Sequence, residues 1–447
     1  MNLYLLLITI YLICYAFISW KKTDWALYWL VFSLPSYLIR LSIFKLPTTV
    51  LELMIVILFL VWLLKNISGN IKAIKKKIID FKYLTMAMVL FLIAATASML
   101  LSPDLRTGAG LWKAYFIEPV IFLIVFVNVI DFKKLKNIFF SLGFSAGVVS
   151  LIGIYQKISG DLIPNPFWAA ATSRRVTGPY PYPNALALYL APIIVLLLGL
   201  MPIIFKNFKK ISIKKYLLIL VAIISSFSLY FTKSKGGLAG ALAGAIFYAV
   251  FYRHYKKYFV ILIALVIIIS FGYIYIFNID FNIEGMATVP GGGSVSTRIN
   301  MWSETWAMIK TRPILGAGLS GYQTAVAPFH SRDYIEIYLY PHNIILNFWT
   351  ETGLLGLISF ILILVWFYVS GSQMLSLRRG FAVDKDKKLK SIYVFSLLGS
   401  MSALLIHGLV DVPYFKNDLS VLFFVLIAGM VVIYQSNKKE LVNRFKK

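Results

Sequence analysis

Residues 185–205 read ALALYLAPIIVLLLGLMPIIF, a run without one charged side chain. A soluble core seldom needs an unbroken apolar stretch of this length, whereas about 20 helical residues match the hydrocarbon thickness of a bilayer. Similar runs recur near 2–20, 25–44, 46–64, 83–101, 110–130, 138–157, 216–232, 237–252, 258–277, 353–370, 391–410 and 418–435. Lipid offers the backbone no water, and these runs are too long for barrel strands, so helices are the form left to them. The expected fold is an all-α polytopic membrane protein. Twelve or thirteen transmembrane helices can be drawn, because Pro35, Arg40 and Pro47 blur the second and third runs.

The chain divides into four blocks on this reading. Residues 1–157 are N-terminal transmembrane helices, and 158–277 are further helices with two basic loops, 158–184 and 232–237. Residues 278–341 form one long extracytoplasmic loop expected to contain short helices, and 342–447 are the C-terminal helices with a basic tail. A loop that long is usually functional or disordered.

The net charge of +26 invites a nucleic-acid partner until the charges are placed. Alternate loops hold Lys21 and Lys22, Lys65 to Lys82, Lys133 to Lys136, Lys206 to Lys215, Arg253 to Lys257, Arg378 to Lys390 and Lys438 to Lys447. Thirty of the 44 Lys and Arg residues but only six of the 18 acids fall there, so +24 of the +26 lies on one side of the membrane. Short basic loops face the cytoplasm, so the charge is a topology signal and an attraction to anionic lipid; no nucleic acid is expected. The C-terminus is then cytoplasmic. The first helix lacks a basic n-region and a cleavage site, which marks a retained span. The single cysteine, Cys14, lies in that run as a small hydrophobe.

Three motif matches lose their meaning on this map. Asp384-Lys385-Asp386 sits in a lysine-rich inner loop as a solvated charge run, and Asn66-Ile67-Ser68 is a glycosylation triplet on the wrong face. Gly316-Ala317-Gly318-Leu319-Ser320-Gly321 satisfies GxGxxG without the strand, crossover and downstream acid of a dinucleotide site, and reads as a tight turn.

What remains is the outer face. Arg106, Arg174, Arg175, Lys233, Lys235 and Arg298 come from separate outer loops, against the topology rule, and could converge at one membrane surface. Converging guanidinium and ammonium groups suit a diphosphate, since arginine offers a bidentate fork and lysine a mobile point charge. Taken singly, each could equally snorkel to lipid phosphate or pair with a local acid. From Thr297 the long loop turns helical, with Arg298, Trp302 and Trp306 at i, i+4 and i+8 and Pro313 stopping the run. Of four histidines, His254 lies among inner lysines, His330 in the variable loop, and His407 ends a span where it can cap or pair with Asp411. His342, in Pro341-His342-Asn343, opens the next helix at the membrane surface, where a neutral imidazole suits a general base.

Together these residues resemble the O-antigen ligase and polymerase superfamily. The resemblance rests on Arg298-Ile299-Asn300-Met301-Trp302, Pro313-Ile314-Leu315-Gly316-Ala317-Gly318, His342-Asn343-Ile344-Ile345-Leu346 and Glu351-Thr352-Gly353-Leu354-Leu355-Gly356, in that order. It runs from about Arg174 to Asn417 and takes in Pro183-Asn184 and the turn from His407 to Asp411. It implies glycosyl transfer at the outer face of the bacterial cytoplasmic membrane, from an undecaprenyl-diphosphate-linked glycan donor to a hydroxyl of a glycan, lipid or protein acceptor. It implies no cofactor, no metal and no nucleotide sugar. His342 and Arg298 would be catalytic, and Arg174, Arg175, Asn184, Lys233, Lys235, Arg106 and Trp302 would bind substrate, with inversion at the anomeric carbon. Where many members carry Ser-Arg-Gly, this chain has Ser234-Lys235-Gly236, which keeps the charge and loses the fork. Tyr180, Tyr182, Trp302 and Trp306 could stack on sugar rings.

The resemblance leans to a ligase, with a polymerase acting on carrier-linked units as the alternative. A lipid-linked glycan transporter should bury ionisable groups at mid-bilayer and show internal repeats. Only Glu52, Lys113 and Glu118 are candidates, and no repeat is found. A noncatalytic scaffold would not need Arg298 and His342.

Overall fold

The computed structural model describes residues 3–43, 46–205, 213–251, 294–331, 336–376 and 385–445. The architecture is a helical bundle, as the apolar runs require. Helices α1 (Leu3–Lys21) and α2 (Thr23–Phe32) lead into a short 3-10 turn, Leu34–Leu38, and a small antiparallel hairpin, Arg40–Ile43 with Leu46–Thr49. Then follow α3 (Val50–Lys65), α4 (Ile67–Asp80), α5 (Lys82–Leu100), α6 (Leu105–Trp112), a π turn (Lys113–Ile117) and α7 (Glu118–Val129). Next come α8 (Leu135–Ser159), the one-turn α9 (Pro166–Ala169), α10 (Pro183–Phe205), α11 (Ile213–Phe231) and α12 (Lys235–Phe251). The remainder comprises α13 (Ser294–Thr311), α14 (Tyr322–Val326), α15 (Ile344–Ser376), α16 (Lys385–Gly408) and α17 (Asn417–Phe445).

Among the described residues, eight helices are long and apolar enough to cross a bilayer, nine if α3 and α4 count as one span bent by 109°. The expected 12 or 13 is therefore not reached by this measure. The run at 25–44 is no single helix. It is helical to Phe32, then passes through the Pro35 turn into the hairpin, because proline at the turn's start lacks the N–H to continue α-helical bonding. The runs at 216–232 and 237–252 are helices, but shorter ones, and the run at 258–277 lies outside the described residues.

Helix α10, the apolar run quoted at the outset, sits at the centre. Ala185 to Val195 is almost wholly buried, packed between α16, α12, α11 and α8. Burial on all sides explains why this run has no polar stripe. Among the described residues, lysines of the basic loops lie together at one end. Lys65 donates to Ser19 O, Lys134 pairs with Asp24 at 3.1 Å, and Lys390 reaches Asn437.

The opposite end is stitched by the sequence motifs. In α15 the backbone breaks at Gly353, whose φ of 67° and ψ of −177° are open only to glycine, and a Cβ there would lie 2.5 Å from Ile314 O. Into this break the Pro313–Gly321 turn inserts: Leu354 N–H donates to Ile314 O, Ala317 N–H to Thr350 O, and the Trp349 indole to Pro313 O. The carboxylate of Glu351 accepts from Ser320 N–H at 2.7 Å, and Leu319 N–H donates to Ser98 O. The GxGxxG match is thus a tight turn, as expected, and Glu351 ties it down.

Candidate active site

The loop before α15 carries His342 in a left-handed conformation, φ 47°, with Asn343 capping the helix by accepting from Ile345 and Leu346 N–H. Asn343 also donates to Leu409 O, and the Trp302 indole of α13 donates to Pro341 O at 3.0 Å. His342 is thereby held from both flanks. Tyr338 and Tyr340 set ring edges against it, with centroids 5.6 and 5.0 Å away. Burial and the nearby Asp411 push the Tyr340 hydroxyl up to about 12, so it stays neutral; it pairs with the Tyr182 hydroxyl at 2.8 Å.

The imidazole Nδ1 of His342 lies 3.2 Å from Oδ1 of Asp411; the His342 side chain is 19 % exposed and that of Asp411 1 %. Two further donors reach this buried carboxylate: Val412 N–H to Oδ1 at 2.9 Å and the Asn184 amide to Oδ2 at 3.3 Å. Burial alone would raise the pKa of Asp411, but the His342 hydrogen bond, the imidazoles of His342 and His407, and Val412 N–H hold it well below the usual carboxylate range. With an ionised partner on Nδ1, the neutral imidazole carries its proton there and leaves Nε2 as acceptor.

Asn184 passes the network on. Its Oδ1 accepts from Arg175 Nη2 at 3.2 Å, and Arg175 Nε donates to Thr232 O at 2.8 Å. Burial and then the positive charge of Arg298 pull the Arg175 guanidinium down from its ordinary value. Arg298 Nε is buried with no hydrogen-bond partner among the described residues. Two half-buried guanidiniums, one with an unmatched buried Nε donor, suit an anion.

The other expected residues stand apart from this chain of contacts. Arg174, adjacent to Arg175, turns the other way, donating to Lys157 O and Ala169 O and bracing the loop after α8. Lys233, at φ 53°, and Lys235, the first residue of α12, are both exposed. Their turn still bears on the site, since Gly236 packs so close to His407 that a Cβ would lie 2.7 Å from the ring. Arg106 is exposed in the first turn of α6, where Asp104 caps the helix by accepting from Arg106 and Thr107 N–H. Tyr180 is buried against Tyr37 and Tyr189, which removes it as a sugar-stacking surface, whereas Trp306 is exposed.

Two residues of the network were not expected in it. Asp411 bonds His342 rather than His407, whose Nδ1 has no hydrogen-bond partner among the described residues. Lys416 places its ammonium 4.1 Å from the centre of the Tyr182 ring, buried and without a hydrogen-bond partner among the described residues. Burial pulls Lys416 down to about 8, against the opposing charges of Asp418 and Asp411. The sequence signal for both was acid and lysine in the short outer turn 411–417. Among the described residues, no group of three or more His, Cys, Asp or Glu could hold a metal ion.

Residues 220–361 match the O-antigen ligase family. That match supports membership of the O-antigen ligase superfamily. No curated protein matches it. The ligase-family segment, roughly a third of the 447 residues, runs from α11 past the break in α15 and contains Lys233, Lys235, Arg298, Trp302 and His342. Arg175, Asn184 and Asp411 lie outside that segment and are brought to it by α10 and by the turn between α16 and α17. The O-antigen ligase match supports a ligase or polymerase function and a glycosyltransferase-type enzyme in a multi-pass membrane protein.

Proposed function

We propose that the protein transfers a glycan from an undecaprenyl-diphosphate carrier to an acceptor hydroxyl at the outer face of the bacterial cytoplasmic membrane, with ligase-type transfer preferred over polymerisation. One observation carries this reading: His342 paired with the buried Asp411 and linked through Asn184 to Arg175, with Arg298 one helical turn before the Trp302 that bonds Pro341. Nε2 of His342 takes the proton of the acceptor hydroxyl. The freed oxygen attacks the anomeric carbon on the face opposite the diphosphate, a C–O bond forms, the bond to the diphosphate oxygen breaks, and the configuration inverts. Arg175 and Arg298 meet the charge growing on the departing diphosphate, the part of such a reaction that preorganised cations stabilise most. Asp411 holds the imidazole in its accepting tautomer and balances the imidazolium that forms. Charge compensation by arginine lets the step run without a metal.

Lys235, Lys233, Arg174 and Arg106 would act further out, attracting the anionic donor to the surface. The lysines clustered at the opposite end of the bundle support this orientation, since the positive-inside rule assigns them to the cytoplasm. The acceptor side is the cleft between α13 and residues 322–338, lined by Asn300, Glu304 and Tyr338, the last in ring contact with His342.

The test is transfer by purified protein in vesicles holding a polyprenyl-diphosphate oligosaccharide. Arg298→Ala should lower turnover by about two orders of magnitude or more, the usual consequence of removing one charge-stabilising donor, with insertion and melting temperature kept. Unchanged turnover in that variant would remove the centre of the proposal.

A further inference from the structure

Helix α4 was expected only as part of a basic loop, and the structure gives it a form of its own. The chain leaves α3 at Lys65, and α4 departs at 109° to it. The corner is built, since Asn66 accepts from Gly69 N–H and Asn70 donates to Trp62 O at 2.6 Å. If α3 crosses the bilayer, a helix nearly perpendicular to it lies along the surface.

The sequence of α4, ISGNIKAIKKKIID, is amphipathic around its axis, with Ile79 the one isoleucine on the lysine side. Ile67, Ile71, Ile74 and Ile78 recur at four, three and four residues and form one stripe. Ile67, Ile71 and Ile78 are exposed. The helices on either side of α4 in the chain also expose apolar residues, Leu60 and Leu64 of α3 and Tyr83 and Met86 of α5. Lys75 borders the stripe, Lys72 and Lys76 lie on the far face, and all three are exposed, while the Lys77 edge meets the bundle through Gln435. Asp80 is the helix's single acid. An apolar stripe flanked by lysines, set across the end of a span, suits a lipid interface whose headgroups are negative.

We propose that α4 is an in-plane membrane helix that binds the phosphate headgroups of anionic phospholipids in the leaflet opposite the active site. Its isoleucines lie at the acyl boundary, and Lys72, Lys75 and Lys76 engage the headgroups. The occupant is lipid rather than a protein because α4 leaves the end of α3 at 109° and is joined directly to α3 and α5, whose own apolar residues are exposed and suit lipid.

The test uses the full-length protein with Cys14→Ser and Ile71→Cys, carrying an environment-sensitive fluorophore at position 71, in phosphatidylcholine vesicles with and without phosphatidylglycerol. Emission should be blue-shifted, and spin-labelled phosphatidylglycerol should quench it several-fold more strongly than spin-labelled phosphatidylcholine. That preference should weaken in high salt. K72Q/K75Q/K76Q should abolish the preference while the blue shift remains. Red-shifted emission open to aqueous iodide would place α4 in water, and equal quenching by the two lipids would remove headgroup recognition. Shielding from both lipid and iodide would show a protein partner on this face. Each of these three results overturns the proposal.

Discussion

Replacing Asp411 by asparagine changes no volume and still disables the base, because three donors converge on its two oxygens. Val412 N–H and His342 Nδ1 meet Oδ1, and the Asn184 amide meets Oδ2. An asparagine offers one acceptor oxygen. If its NH2 takes the Oδ2 position it faces the Asn184 amide. Asn184 could accept it only by flipping, which would take Oδ1 from Arg175. If the NH2 takes the Oδ1 position, it opposes Val412 N–H and drives His342 to the tautomer protonated on Nε2. Loss of a hydrogen bond to a charged group is worth about 1.5–3 kcal/mol, roughly a 10- to 150-fold loss of turnover from orientation alone. A base locked in the wrong tautomer can lose about four orders of magnitude. Asp411→Asn should therefore reduce vesicle turnover by between about 10-fold and 10⁴-fold at unchanged expression and nearly unchanged melting temperature. On a His342→Ala background the same change should have little further effect, because residues acting as one unit are not additive. Turnover within twofold of wild type would refute the pairing as catalytic, and full additivity would refute the claim that Asp411 acts through His342.

Three further outcomes follow from the geometry. In cells, His342→Ala should leave long glycan chains accumulated on the diphosphate carrier if the protein is a ligase and single repeat units if it is a polymerase, read by comparing surface and carrier-linked glycan pools; no change in either pool would make His342 structural. Gly353→Ala should destabilise the protein by at least about 1–3 kcal/mol of backbone strain in addition to the clash with Ile314 O, read as a lower melting temperature in detergent. Lys416, held near 8 when folded, has an unfolded value near 10.4 and so binds fewer protons folded than unfolded between those values. Stability should rise with pH across about pH 8 to 10.4, by up to about 3 kcal/mol. Lys416→Met should lose that slope.

Membership in a membrane helical class was legible in composition alone, because ~20-residue apolar runs have no other economical structure in lipid. The Pro313–Gly321 turn and the Glu351–Gly353 stretch were also visible as motifs. Their meaning was not, since the need for glycine at 353 arises from Ile314 O lying where a Cβ would stand, and that oxygen comes from another segment. Span counting failed at 25–44 because hydropathy measures transfer to lipid and is blind to the backbone break that Pro35 introduces.

For the candidate site, Arg298 and Arg175 were proposed because cations in outer loops run against the topology rule, and His342 because it opens a helix at the membrane surface. Arg174 and Arg175 show the limit of that reasoning. They are neighbours of identical chemistry, yet one braces carbonyls of the α8 loop and the other reaches Asn184. Asp411, 69 residues beyond His342, could be recognised as its partner only once α16 and α17 set their connecting turn against the start of α15. Local sequence determines which segments are helices and which groups can carry charge, because those depend on neighbours along the chain. Which donor meets which acceptor depends on neighbours across the bundle, and only tertiary packing decides that.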